Sequence, residues 1–253
     1  MTSTNSDPAT GALAIDTSIC LHQADLPDEV ITLCKGVRAK GKLLNNAADG
    51  SLRSAILDFA GEEQLEWPSC SGTLQLFVLK GVLIVDGNII GENGFAVLPG
   101  AIAHRIVALS GASVVAIRDV LPEGDCPEAV YIPDCFAVDP FVPTINGRLL
   151  EGFERRVLWL DPRTGADTRL LKVPGGFAGG GPNWHPVNEE IFCVSGDIQP
   201  DDTRPMRTGS YLLNPARSIH GFDERTEGGC VLLEWHDGPW DLISAPGAER
   251  LSR

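Results

Sequence analysis

Apolar positions along this chain come in short runs, not in helical stripes. Residues 74–79, 82–86, 95–98 and 113–118 are rich in Val, Ile, Leu and Phe, and each run is bounded by turn residues such as Asp86-Gly87-Asn88 or Ser110-Gly111-Ala112. This rhythm predicts many short strands joined by tight turns, the pattern of a β-sandwich or barrel. No long segment carries helical periodicity, and any helix is expected to be a turn or two near the ends.

The strand pattern is duplicated. LQLFVLKGVLIVDG with GFAVLPGAIAH recurs as EIFCVSGDIQPDD with GSYLLNPARSIH. Gly81 matches Gly196, Pro99 matches Pro215 and His104 matches His220, and the last strand repeats as Ser113 to Asp119 against Cys230 to His236. Between the copies lies a proline-rich stretch containing YIPDCFAVDPFVP, which has too many prolines for a central strand. The expected organisation is an arm over 1–24, partly mobile; a first domain over 25–125; a linker over 126–147; a second domain over 148–245; and a tail over 246–253.

Composition narrows the function classes. A formal net charge of −14 disfavours nucleic acid and anionic membranes as partners, because both call for clustered Lys and Arg. No apolar stretch approaches a bilayer span and the first residues do not resemble a secretion signal, so a cytoplasmic location is expected. The seven cysteines, Cys20, Cys34, Cys70, Cys126, Cys135, Cys193 and Cys230, are scattered and form no CxxC pair; reduced, packed thiols are the reading. The glycine-rich run over 175–181 lacks the GK[ST] and helix of a phosphate loop and reads as a mobile lip over a barrel mouth.

The chemistry concentrates in the second copy. GGGPNWHPVNEEIFCVSG places His185 and Glu189 four apart, with Gly196 after six further residues; GSYLLNPARSIH then places Pro215 five before His220. In extended backbone residues 183, 185 and 189 share parity and can emerge on one face. Slipped by one residue, Glu190 would face inward instead of Glu189. His220 on a neighbouring strand can complete a set of two imidazoles and one carboxylate, which leaves coordination positions open on a divalent ion. A carboxylate inside a barrel calls for such a cation or another positive partner.

These spacings resemble the two cupin motifs, G(X)5HxH(X)3-4E(X)6G and G(X)5PxG(X)2H(X)3N. The resemblance implies an all-β chain of two tandem cupin barrels (the jelly roll, or double-stranded β-helix). It is closest to bicupins with a ChrR-like C-terminal cupin domain, akin to small-molecule dioxygenases. Its implied ligand set is three His and one Glu, and this sequence departs from it: Asn183 stands at the first motif histidine, Arg217 at the motif glycine and Glu224 at the motif asparagine. Asn183 can coordinate through its amide oxygen, bond a metal-bound water or simply end a turn. Arg217 can meet a carboxylate or enolate substrate or be a plain surface charge. Glu234 and His236, at the end of the last strand, are candidates to move protons, His236 from the rim. Trp184, Trp235 and Trp240 either pack in the core or screen the site from water.

In the first copy Pro68, Cys70 and Leu74 stand where Asn183, His185 and Glu189 do, so that domain is expected to hold no metal. The resulting expectation is a metal-dependent enzyme, foremost a non-haem Fe(II) dioxygenase acting on a small oxygenated substrate such as a diketone or hydroxyketone. Zn, Mn or Ni are alternative ions, and a metal-dependent lyase or isomerase, or a non-catalytic ChrR-like metal or ligand sensor, are alternative functions. Barrel edges often pair, so a homodimer is expected.

Overall fold

The computed structural model describes residues 14–15, 17–119, 128–145, 147–201 and 203–248. Among these, helix is confined to two single 3-10 turns, Gln23–Asp25 and Cys135–Ala137, and no helix is long and apolar enough to cross a membrane. The strands pair antiparallel apart from one short parallel pair, so the all-β, two-barrel class read from the sequence holds.

The first sheet runs in the order Val130–Ile132, Phe95–Pro99, Thr73–Val85, His104–Asp119, Leu52–Phe59, Arg38–Asn46, Glu29–Thr32. The second runs Glu154–Leu160, Asp167–Val173, Cys230–His236, Glu189–Ile198, Ser210–Asn214, Ile19–His22. Alternation along the strands builds three cores. One fills the first barrel around Leu57, Leu74, Val114 and Ala116. One fills the lower part of the second around Leu171, Ile191, Cys193 and Leu232. The third, around Phe77, Val115, Ile117, Phe192, Leu233 and Trp235, is made by the opposite faces of the same strands and joins the barrels.

Where the arm over 1–24 is described, Ile19–His22 pairs antiparallel with Ser210–Asn214, and Ala14–Ile15 pairs with Ser218–Ile219. Cys20 packs toward the second barrel's interior and Leu21 toward the inter-barrel core, so the strand covers the edge of 210–214. One sequence expectation is corrected here: the last-strand repeat is one residue out of step. Gly81 lies opposite Ala112 and Gly196 opposite Cys230, so Ala112, not Ser113, is the counterpart of Cys230. Both glycines have positive φ, 85° and 79°, and a Cβ at either would sit 2.2 or 2.1 Å from the carbonyl oxygen of Gly111 or Gly229. This close approach identifies the equivalent positions better than residue type does. Residues 1–13, Cys126 and 249–253 lie outside the described residues.

Candidate metal centre

Three strand ends and one turn bring the site together at the open end of the second barrel. Glu189 begins the strand Glu189–Ile198, with Asn214 opposite on one neighbour and His236 opposite on the other. Its side chain points inward, whereas Glu190 points to the inter-barrel layer. There Glu190 meets Arg53 at 2.8 Å, Ser54 Oγ at 2.6 Å and the Tyr211 hydroxyl at 2.7 Å. Each of the two adjacent carboxylates thus has its own buried set of partners. His185 stops at Pro186, and Asn188 fixes the turn by bonding the Asp237 carboxylate through its backbone N at 2.9 Å and its amide at 2.6 Å and by accepting from Ala216 N at 2.9 Å. His220 is held by a backbone pair with Asn183, 2.9 Å each way.

His185, Glu189 and His220 each offer one ligand atom, and these lie within 4.8 Å of one another. Both imidazoles have the same tautomer imposed on them. Nδ1 of His185 donates to the Val187 carbonyl at 2.6 Å, and Nδ1 of His220 to that of Ser218 at 2.9 Å. In the neutral rings, Nε2 is therefore a lone pair. The Nε2 atoms lie 3.3 and 3.9 Å from Glu189 Oε2, and that of His185 is buried without a hydrogen-bond partner. Three electron-rich atoms facing one another are the donor set of a divalent cation, and the residues fit one.

The electrostatics agree. Burial opposes charge on Glu189, but His185 and His236 hold its carboxyl well below the usual range. Burial pulls the pKa of His220 down, keeping the ring neutral as a ligand must be. For His185 burial acts downward, yet the Glu189 charge wins and raises it. The other carboxylate oxygen, Oε1, accepts from Trp240 Nε1 at 3.0 Å and lies 3.2 Å from His236 Nε2, while Oε2 accepts from Asn214 Nδ2 at 2.8 Å.

The remaining candidates are placed as follows. Asn183 Nδ2 donates to Gly181 O at 2.6 Å, which gives the amide a turn-closing contact. Arg217 lies over Trp184, 5.2 Å from the ring centroid, with φ at 65°, the left-handed backbone expected of the motif glycine it replaces. His236 is not on the rim: it is 1% exposed and wedged between Glu189 and Asp167 Oδ1, 2.6 Å from its Nδ1. Burial works against its charged form, but those two carboxylates raise its pKa. Glu234 is buried inside the barrel with Oε2 unpartnered; burial raises its pKa, as does Glu189. Burial and the Glu189 and Glu234 charges push Glu224 up to about 7. Trp240 touches the site through Glu189, Trp184 lies under Arg217, and Trp235 packs in the inter-barrel core beside Tyr211. In the glycine-rich run over 175–181, Gly176 N and Gly179 N donate to Glu227 O and Glu224 O at 3.0 and 2.8 Å.

Sequence reasoning missed several residues. Asp167 and Arg169 project inward from Asp167–Val173, and Arg155 from Glu154–Leu160. Arg169 lies opposite Glu234 and Asp167 opposite His236. The available signal was parity: in DTRLLKV the charges at 167 and 169 share a face with Leu171 and Val173, as Glu234 and His236 do with Leu232. The arm had no such signal, yet Ser18 Oγ donates to Asn214 Oδ1 at 2.7 Å and so holds the residue that holds Glu189.

The two-barrel architecture, with the His185, Glu189 and His220 cluster inside the later barrel, is that of the cupin fold. Residues 140–237 match the family model of the ChrR cupin-like domain. Among solved structures, the chain is similar to a Nostoc punctiforme protein provisionally named a dioxygenase, with TM-score 0.71, 16% identity, and 93% of this chain and 87% of that one covered. It is also similar to a Pseudomonas aeruginosa protein provisionally named glyoxylate-induced, with TM-score 0.68, 16% identity and coverage of 95% and 96%. A third is a point mutant of Bacillus subtilis oxalate decarboxylase, with TM-score 0.58, 15% identity and coverage of 92% and 80%. At these identities the likeness is one of fold. No curated protein matches the chain in sequence.

Proposed function

We propose that this chain is a metal-dependent enzyme acting on a small oxygenated organic substrate, with non-haem Fe(II) dioxygenase chemistry on a diketone or hydroxyketone as the leading reading. The single observation that carries it is the buried, partnerless Nε2 of His185 facing Glu189 and His220. A divalent ion held there supplies Lewis acidity toward a substrate carbonyl and, as Fe(II), electrons for dioxygen.

The protein's own residues supply the rest. His185 and His220 are oriented by the Val187 and Ser218 carbonyls. His236 and Asn214 fix the Glu189 carboxylate, so it does not reorganise as charge develops nearby. Glu234, buried and without a donor on Oε2, is the group to take a proton from an activated substrate C–H or O–H. That same carboxyl supports a lyase or isomerase as the second reading, since proton transfer alone suffices for those. The match of 140–237 to the ChrR cupin-like domain supports a metal or ligand sensor as the third. Exposed Leu149, Val157 and Leu160 around the edge strand Glu154–Leu160 support pairing as a homodimer.

Elemental analysis of untagged protein purified without oxygen tests the reading. One iron per chain, lost in His185→Ala, is expected. Activity that survives complete removal of metal would overturn it, and tightly held zinc would favour the lyase or sensor.

A further inference from the structure

The second barrel's polar layer contains two charged side chains with unmet polar atoms. Arg155 is 7% exposed, yet its Nε is buried with no acceptor, and among the described residues it forms no ion pair and no side-chain hydrogen bond. Glu234, 5% exposed, has no donor on Oε2. Each is the leading charge favouring ionisation of the other, and still no ion pair joins them. An unpaired guanidinium in a barrel interior is costly, and such a group is commonly retained for a ligand.

Trp240 now fills the space beside them. Its ring centroid lies 5.1 Å from Arg155 Cζ and 5.0 Å from Arg169 Cζ, while its Nε1 donates to Glu189 Oε1. The indole therefore reaches from the guanidinium groups to the carboxylate of the candidate ion site, and a planar molecule of similar size spans the same gap. Trp240 follows Pro239 in the loop after Cys230–His236 and is half-buried, so it can leave without breaking a strand. Charge sets the sign of what replaces it. Arg155, buried with its Nε unmet and no ion pair of its own, calls for an acceptor in the space the indole leaves, and an anion supplies one.

We propose that Arg155 anchors a carboxylate of the substrate, which enters by displacing the Trp240 indole and lies between Arg155, Glu234 and the ion site. The substrate is then a carboxylate-bearing diketone or hydroxyketone, not a neutral one. This rests on the metal-site reading above and deepens it.

The test compares 2,4-dioxopentanoate with pentane-2,4-dione, which differ by a carboxylate in place of a methyl. Both are titrated into zinc-loaded full chain, where no oxygen chemistry intervenes, by calorimetry and tryptophan fluorescence, with zinc per chain measured in the same samples. The carboxylate is expected to bind at least about tenfold tighter, the worth of one buried Arg–carboxylate pair. Arg155→Gln should bring the ratio to about one, and Arg155→Lys should retain part of it. A ratio near one in native protein carrying one zinc overturns the proposal, as does an unchanged ratio in Arg155→Gln of native near-UV circular dichroism. Should Arg155→Gln not fold, the native ratio and Arg155→Lys still decide. If the chain takes up no zinc, the metal reading fails separately. The ion-free titration then judges the anion subsite alone: a preference that depends on Arg155 sustains it, and equal binding overturns it.

Discussion

The two barrels share a strand plan and differ in what fills its upper layer. Once the Gly81–Ala112 and Gly196–Cys230 approaches are superposed, strand registers pair Leu74 with Glu189, Ala116 with Glu234, Ala55 with Arg169 and Gly41 with Arg155. Each of these four charged residues of the second barrel faces a small or apolar counterpart in the first. At Gly41 even a Cβ would lie 2.0 Å from Ile56 O, so the first barrel has closed over the place where Arg155 stands. The surviving histidines differ in the same sense. His104 has both ring nitrogens engaged, by Asp86 at 2.6 Å and Pro99 O at 2.8 Å, whereas His220 keeps Nε2 open toward Glu189. Duplication preserved the frame twice and the donor set once, so chemistry is a property of the layer and not of the fold.

The change that should break this difference most is to give the second barrel the first barrel's residue. Glu189→Leu removes the oxygen donor and replaces it with what position 74 already carries. Divalent-ion affinity is expected to fall by more than about 100-fold, beyond the 10–100-fold typical of outer contacts alone. Metal per chain after dialysis measures it; retained stoichiometric metal would show that the ion sits elsewhere.

A smaller effect should fall on stability without touching the site. Arg53 bridges Asp119 and Glu190 between the barrels, and both carboxylates are buried. Arg53→Ala strands two carboxylates and is expected to cost about 3–5 kcal/mol, roughly 10 °C in melting temperature, with metal content unchanged. His104→Ala should cost about 2 kcal/mol, again with metal retained, because its two bonds are structural. His220→Ala should do the reverse, losing metal at little cost to the ion-free melt. Equal metal loss in both histidine variants would erase the distinction between the barrels.

How much of this was legible follows from what each signal depends on. The fold was readable because alternation and turns recur in both copies, and Gly81 and Gly196 mark backbone approaches that no side chain allows. His185, Glu189 and His220 were readable because spacing along one strand and one turn sets their direction. Arg155 and Arg169 were not, since each is one charge in an ordinary strand whose inward face is known only from its pairing with Cys230–His236 and its neighbours. The pairing of the arm was not legible for a related reason: Ile19–His22 is four residues long, and its partner, Ser210–Asn214, lies nearly two hundred positions away.

The smallest expected effect compares two aspartates related by the same offset as Gly81 and Gly196. Asp86 accepts from Arg105 N at 2.8 Å and meets His104, while Asp201 accepts from Thr203 N at 2.7 Å and Oγ1 at 2.8 Å and from Arg204. Burial opposes both charges, but these donors lower both carboxyls below their ordinary 3.8, Asp201 to about 2. A carboxyl with a lowered folded pKa stabilises the fold above its unfolded value, and that contribution is lost as pH falls through the folded one. Asp201→Asn is therefore expected to cost about 1 kcal/mol at pH 7, after solvent screening, with the difference shrinking from pH 4 toward pH 2. Asp86→Asn should cost less over a narrower acid range. Thermal melts of both variants from pH 7 to pH 2 read this directly. A D201N penalty that stays constant through that range would mean that packing, not ionisation, holds the turn after Glu189–Ile198.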